Sequence, residues 1–147
     1  MSSVFEIGIT EKNNQEIKRK ETIEVVAFKG IIGDRYFHDF NGDREQITLI
    51  ESENIDYYNK NFNTNFNYLD FRRNIVTKDI KLNNLLGKTI FVGEIELRAT
   101  DLCRPCKDLQ NRFDQDNIIK EFLRRGGLRC EILTSGFINV GDKITNL

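Results

Sequence analysis

What most constrains this chain is the brevity of its apolar alternations. Phe5, Ile7 and Ile9 alternate with Glu6 and Gly8, and Ile95 and Leu97 alternate with Glu96 and Arg98. Each such stretch is cut off within a few residues by a glycine-bearing turn. A period of two over so few residues is the signature of short β-strands with one buried face. The segments 4–10, 22–28, 46–50, 71–77, 88–92, 95–100, 128–134 and 137–145 all read as strands, about eight in number. Two stretches have helical spacing. Ile55, Tyr58 and Phe62 recur at i, i+3 and i+7 within 51–62, where Ser52 is a candidate N-cap. Ile118, Ile119, Phe122 and Leu123 form a stripe between Asp116, a second candidate N-cap, and Gly126-Gly127. No regular βαβ rhythm appears. The expectation is a mainly β single domain over 1–147, a barrel with two or three helical insertions.

Composition narrows the function classes. Lys plus Arg is 22 and Asp plus Glu is 23, a net charge of −1. That balance argues against a general nucleic-acid binder or a polybasic membrane binder. No apolar run approaches the ~20 residues that span a bilayer. The start Met1-Ser2-Ser3-Val4 has neither a basic nor an apolar leader pattern. The expected location is cytoplasmic. Three cysteines, an odd number, do not make a disulfide framework. Cys130, within an alternating strand, reads as a small buried hydrophobe.

Four constellations carry chemistry. Cys103-Arg104-Pro105-Cys106 follows a strand and admits several readings: a redox pair, half of a zinc site with Cys130 and His38, two inert thiols, or a thiolate that ligates a soft metal or carries sulfur. Arg72-Arg73-Asn74 lies within the strand read over 71–77. There Arg72 and Asn74 would share a face, able to grip a phosphate and a heteroaromatic edge. Gly30 to Arg44 has no period and reads as a functional loop, with Arg35 a possible anion donor and His38 the only histidine. Gly126-Gly127-Leu128-Arg129 ends a helix and could turn Arg129 toward an anion.

The order of these segments resembles one family. Gly30-x-x-Gly33-Asp34-Arg35, Gln46 to Glu51, Phe71-Arg72-Arg73-Asn74-Ile75, Leu85-x-Gly87, Cys103-x-x-Cys106, Gly126-Gly127-Leu128-Arg129 and Val140-Gly141-Asp142 follow one another as in the MOSC domain, the C-terminal domain of molybdenum cofactor sulfurase. The likeness runs over about 25–145 and is to the short stand-alone type. It implies a MOSC-like (pyruvate-kinase-type) β-barrel. It also implies the molybdenum cofactor (molybdopterin), with Cys106 as metal ligand and Arg72 and Asn74 on the pterin. Arg35, Arg129 and Cys103 are further expected cofactor contacts. The implied function is a small molybdoenzyme that reduces N-hydroxylated or related N–O compounds, a small-molecule substrate, with electrons from a partner protein. The alternative is a persulfide carrier or cofactor-delivery module served by a cysteine desulfurase. No pyridoxal-phosphate sulfurase domain is expected, and three cysteines are too few for a four-thiolate iron–sulfur cluster.

Overall fold

The computed structural model describes residues 1–11, 16–39, 42, 45–104 and 117–146. These residues form eleven strands: β1 (Ser3–Ile9), β2 (Lys18–Lys20), β3 (Thr22–Val26), β4 (Gly30–Ile31), β5 (Ile47–Glu51), β6 (Ile75–Lys78), β7 (Thr89–Val92), β8 (Ile95–Leu102), β9 (Leu128–Ile132), β10 (Gly136–Asn139) and β11 (Ile144–Asn146). The helices are α1 (Ser52–Phe62) and α2 (Ile118–Glu121), with single 3-10 turns at Tyr68–Phe71 and Leu82–Leu85.

Eight strands make one curled sheet in the order β11-β7-β8-β9-β5-β6-β1-β2. Only the β5–β6 pair is parallel, and α1 supplies its crossover. The curl brings β11 back to the start of β1. Ser3 bridges Lys143, Val4 N–H donates to the Asp142 carbonyl at 2.9 Å, and Ile144 N–H donates to the Ser2 carbonyl at 3.0 Å. This contact covers the start of β1 and curls the sheet, while β2 remains at its edge. A second sheet, β10-β3-β4, sends Ile23, Val25, Ile31 and Ile138 into the same interior.

Alternation decides which side chains fill that interior. Ile47 and Leu49 of β5, Leu97 and Ala99 of β8, and Leu128 and Cys130 of β9 all point inward. Ile50 and Val76 point outward and are covered by Ile55, Tyr58, Phe71, Ile118 and Phe122, a second core beneath α1, α2 and the first 3-10 turn. The barrel expected from the alternations is therefore the barrel formed. Among the described residues no helix is long and apolar enough to cross a membrane.

Several local expectations need correction. The strand expected over 71–77 begins only at Ile75, because Tyr68–Phe71 winds into a 3-10 turn that ends with Arg72 in the left-handed region at φ 60°. Lys18–Lys20, outside the strands expected from the alternations, forms an edge strand paired with β1. The expected closing strand 137–145 splits into β10 and β11 around Gly141, whose φ is 93°. Ser52 is the first helical residue of α1 rather than its cap; Glu51 holds the extended capping position, with no side-chain bond. The second helix is shorter than expected, and Asp116 lies outside the described residues.

Candidate functional site

The barrel's outer face carries one transverse polar row. Gly8 lies opposite Asn74, as Ile7 pairs with Ile75. Asn74 lies beside Thr48, as Leu49 pairs with Ile75. Thr48 pairs with Arg129, and Arg129 pairs with Asp101. Thr48 and Arg129 sit between inward-facing neighbours, so the pleat turns both outward.

Asn74 is committed to holding this row together. Its Oδ1 accepts from the Thr48 N–H at 3.1 Å and the Thr48 hydroxyl at 3.2 Å, and its Nδ2 donates to the Gly8 carbonyl at 3.1 Å. Its own N–H donates to Thr48 Oγ1 at 3.1 Å. A single amide hydrogen is left over, so Asn74 is a structural tie between β1, β5 and β6 rather than a broad hydrogen-bonding edge for a ligand. Nor do Arg72 and Asn74 share a strand face, because Arg72 sits at the left-handed end of the 3-10 turn.

The neighbouring Arg73 fastens that turn. Its Nε donates to the Gly126 carbonyl at 2.9 Å and its guanidinium NH1 to the Phe71 carbonyl at 3.1 Å. Gly126 and Gly127 are wedged between strands. A Cβ on Gly126 would lie 2.3 Å from the Cys103 carbonyl oxygen, and one on Gly127 1.8 Å from that of Leu49. The pair was read as a helix cap, yet its main constraint is this close backbone approach. Cys103 N–H in turn donates to the Gly127 carbonyl at 2.8 Å.

At the end of β8, Asp101 and Arg104 join the row. Arg104 NH1 lies 3.0 Å from Asp101 Oδ2. Asp101 Oδ1 accepts from the Leu102 N–H at 2.8 Å. Neither residue was singled out from sequence. The signal was there: continuing the inward series Ile95, Leu97, Ala99 would bury the Asp101 carboxylate, so the pattern demanded a bulge. Thr48 was equally legible as the polar member of Ile47-Thr48-Leu49.

The cysteines divide. Cys103 is 1% exposed and Cys130 fully buried. Burial, and then the nearby Cys103 thiol, push the Cys130 thiol's pKa well up, so it stays protonated and unreactive. Cys103 thus does not present its sulfur to solvent. Cys106 lies outside the described residues. Among the described residues no three His, Cys, Asp or Glu side chains gather as a metal site.

Arg35 stands at the end of β1. Its N–H donates to the Thr10 carbonyl at 2.7 Å, and its guanidinium lies 4.6 Å above the Tyr36 ring. Asp34 anchors this loop through the N–H groups of Thr10 and Tyr36. His38 is exposed, with its N–H on the Lys29 carbonyl at 3.1 Å. The structure therefore joins Arg129, Asn74 and Cys103 in one neighbourhood, with Arg72 in the turn leading into it. Arg35 is fixed by its own loop.

Known proteins match this architecture. The model of the MOSC domain family matches residues 37–145, a span that begins just after Arg35. Among solved structures, the YuaD protein from Bacillus subtilis superposes with a TM-score of 0.78 at 19% identity, over 98% of this chain and 94% of that one. YiiM from Geobacillus stearothermophilus gives 0.77 at 15% identity, over 100% and 75%. YiiM from Escherichia coli gives 0.72 at 16% identity, over 97% and 69%. No curated protein sequence matches.

Proposed function

The chain belongs to the MOSC domain family, and from that premise we propose that it binds the molybdenum cofactor at the outer polar row, as a small reductase of N-hydroxylated or related N–O compounds. The observation that carries the reading is the placement of Arg129 and Arg104 around Asp101, at the strand end that leads into Cys103 and the segment bearing Cys106. A cofactor with a phosphate tail needs cationic forks, and guanidinium groups supply them bidentately.

The donor set fits the anionic part of the group. Arg129, Arg104 and Arg72 would hold the phosphate, and Cys106 would offer a thiolate to the metal. Two expected contacts fit less well. The Asn74 amide is already occupied within the fold, and Cys103 is buried, so neither is a principal contact. Bound there, the group would supply a two-electron centre able to accept an oxygen atom from substrate. The chain's own task is to fix the anion, keep Cys103 and Cys130 buried, and orient the strand end. Re-reduction would fall to a partner protein.

The test is elemental molybdenum and pterin analysis of protein isolated from a molybdenum-replete host, repeated for Cys106→Ser and Arg129→Ala. Stoichiometric cofactor in the wild type, reduced in both variants, is expected. Protein devoid of metal and pterin, with a persulfide on Cys106 after incubation with a cysteine desulfurase, would replace the reductase reading with sulfur carriage.

A further inference from the structure

Strand β8 contains an irregularity at the place where the proposed site begins. Ile95, Leu97 and Ala99 are buried in the barrel core, and Ala99 pairs with Cys130. Regular alternation would send Asp101 inward next, placing an unpaired carboxylate among isoleucines and leucines. The register instead shifts between Ala99 and Asp101, so that two steps on β8 match one on β9 and Asp101 faces Arg129. Leu102 then packs against the barrel core in the carboxylate's stead. The extra residue, Thr100, closes its hydroxyl on the Arg129 carbonyl at 3.1 Å, which latches the shift to β9. Bulges of this kind re-aim a side chain and are common beside functional sites.

Once turned outward, Asp101 is held at both carboxylate oxygens. Oδ1 accepts the Leu102 N–H at 2.8 Å, and Oδ2 lies 3.0 Å from Arg104 NH1. The carboxylate is anchored to backbone on one side and grips a guanidinium on the other. An exposed i,i+3 ion pair contributes little to stability. Its geometric effect is larger: a long side chain that is 58% exposed is held at Asp101, the register partner of Arg129, rather than sweeping through solvent.

We propose that Asp101, re-aimed by the bulge at Thr100, is a positioning residue that sets Arg104 alongside Arg129 as a two-guanidinium cradle for a phosphate monoester. The inference rests on the cofactor-binding reading and deepens it, by naming the carboxylate that arranges the cations. The sign of one mutation decides it. Taking a negative charge away from an anion site tightens binding if charge alone matters. If Asp101 positions Arg104, the same mutation weakens binding.

The experiment titrates the full chain with inorganic phosphate at low ionic strength, by calorimetry, alongside thermal unfolding of each variant. Asp101→Asn should weaken phosphate binding at least fivefold with little change in melting temperature, and Asp101→Glu should restore part of the loss. Arg104→Gln should give a similar loss, and the double variant should be no worse than the worse single one. Should Asp101→Asn not fold, the Arg104→Gln loss and the Asp101→Glu titration still decide the matter. Wild-type binding that is unchanged or tightened by Asp101→Asn, or unaffected by Arg104→Gln, overturns the positioning role alone. A wild type that binds no phosphate overturns that role and the anion-binding reading together.

Discussion

Gly127→Ala should be among the most damaging single-methyl additions this chain can receive. Gly127 has φ 101°, and a Cβ built there lies 1.8 Å from the Leu49 carbonyl oxygen, 2.8 Å from the Leu49 carbonyl carbon and 3.1 Å from Ile50 Cα. To restore 3.4 Å of ordinary contact, β5 or the turn must withdraw by about 1.6 Å. The obstacle is central-strand backbone, paired on one side with β9 and on the other with β6. Two costs combine. Forcing a Cβ into positive φ costs about 1–2 kcal/mol. Overpacking a well-filled site costs about 1–3 kcal/mol, and rigid backbone puts this case at the upper end. The expected total is about 4 kcal/mol, a large share of the 5–15 kcal/mol that holds a domain together. Gly141→Ala is the internal control. Its φ is 93°, yet nothing lies within 4 Å of the added methyl. It should cost only the conformational part, about 1–2 kcal/mol. Urea unfolding at equilibrium compares the two. Equal losses would refute the claim that Gly126-Gly127 is required by the close passage of β5 rather than by backbone conformation alone.

Four further outcomes are expected. Asn74→Ala should cost about 2–3 kcal/mol in urea unfolding, because it strands the Thr48 N–H and the Gly8 carbonyl that the amide now satisfies. Burial raises the Glu51 pKa above its ordinary 4.5, against the lowering effect of the Leu82 N–H bond. The native state then holds that proton more tightly than the unfolded chain, so stability falls as pH rises from 4.5 through the raised value; Glu51→Gln should flatten that slope in melting temperature against pH. The hydrogen bond to Asp56, then burial, push Tyr68 up to about 12; ultraviolet titration should lose a component near that pH in Tyr68→Phe, and Asp56→Asn should bring it down. Thiol labelling of the native Cys106→Ser protein should be slow at both remaining cysteines and rapid in denaturant, because Cys103 and Cys130 are buried.

How far the sequence reaches depends on whether a feature is set by local period or by contact between distant strands. The core strands were legible because Ile47, Leu49, Leu128 and Cys130 alternate strictly, and a barrel interior enforces that period. The first helix was legible for the same reason, through Ile55 and Tyr58. Arg72-Arg73-Asn74 misled because β-compatible residues there are overridden from outside. Leu69 and Phe71 are drawn into the outer core, and Arg73 is drawn to the Gly126 carbonyl, so the chain turns before the strand begins. Gly126-Gly127 showed a helix end, but nothing local reveals that the Leu49 carbonyl passes close by. The site follows this logic. Arg72 and Arg129 were visible as donors and Arg104 was not, whereas the arrangement of Asp101 against Arg129 depends on a register shift shared by β8 and β9. The one local trace of that shift is a conflict: Asp101 stands where alternation demands an apolar side chain. Such a conflict costs several kcal/mol if left unresolved, so a chain that folds must resolve it by bulging. A charged residue breaking an otherwise strict inward series is therefore a sign that the strand changes face at that point, and here the change brings a carboxylate and two guanidinium groups to the same end of the barrel.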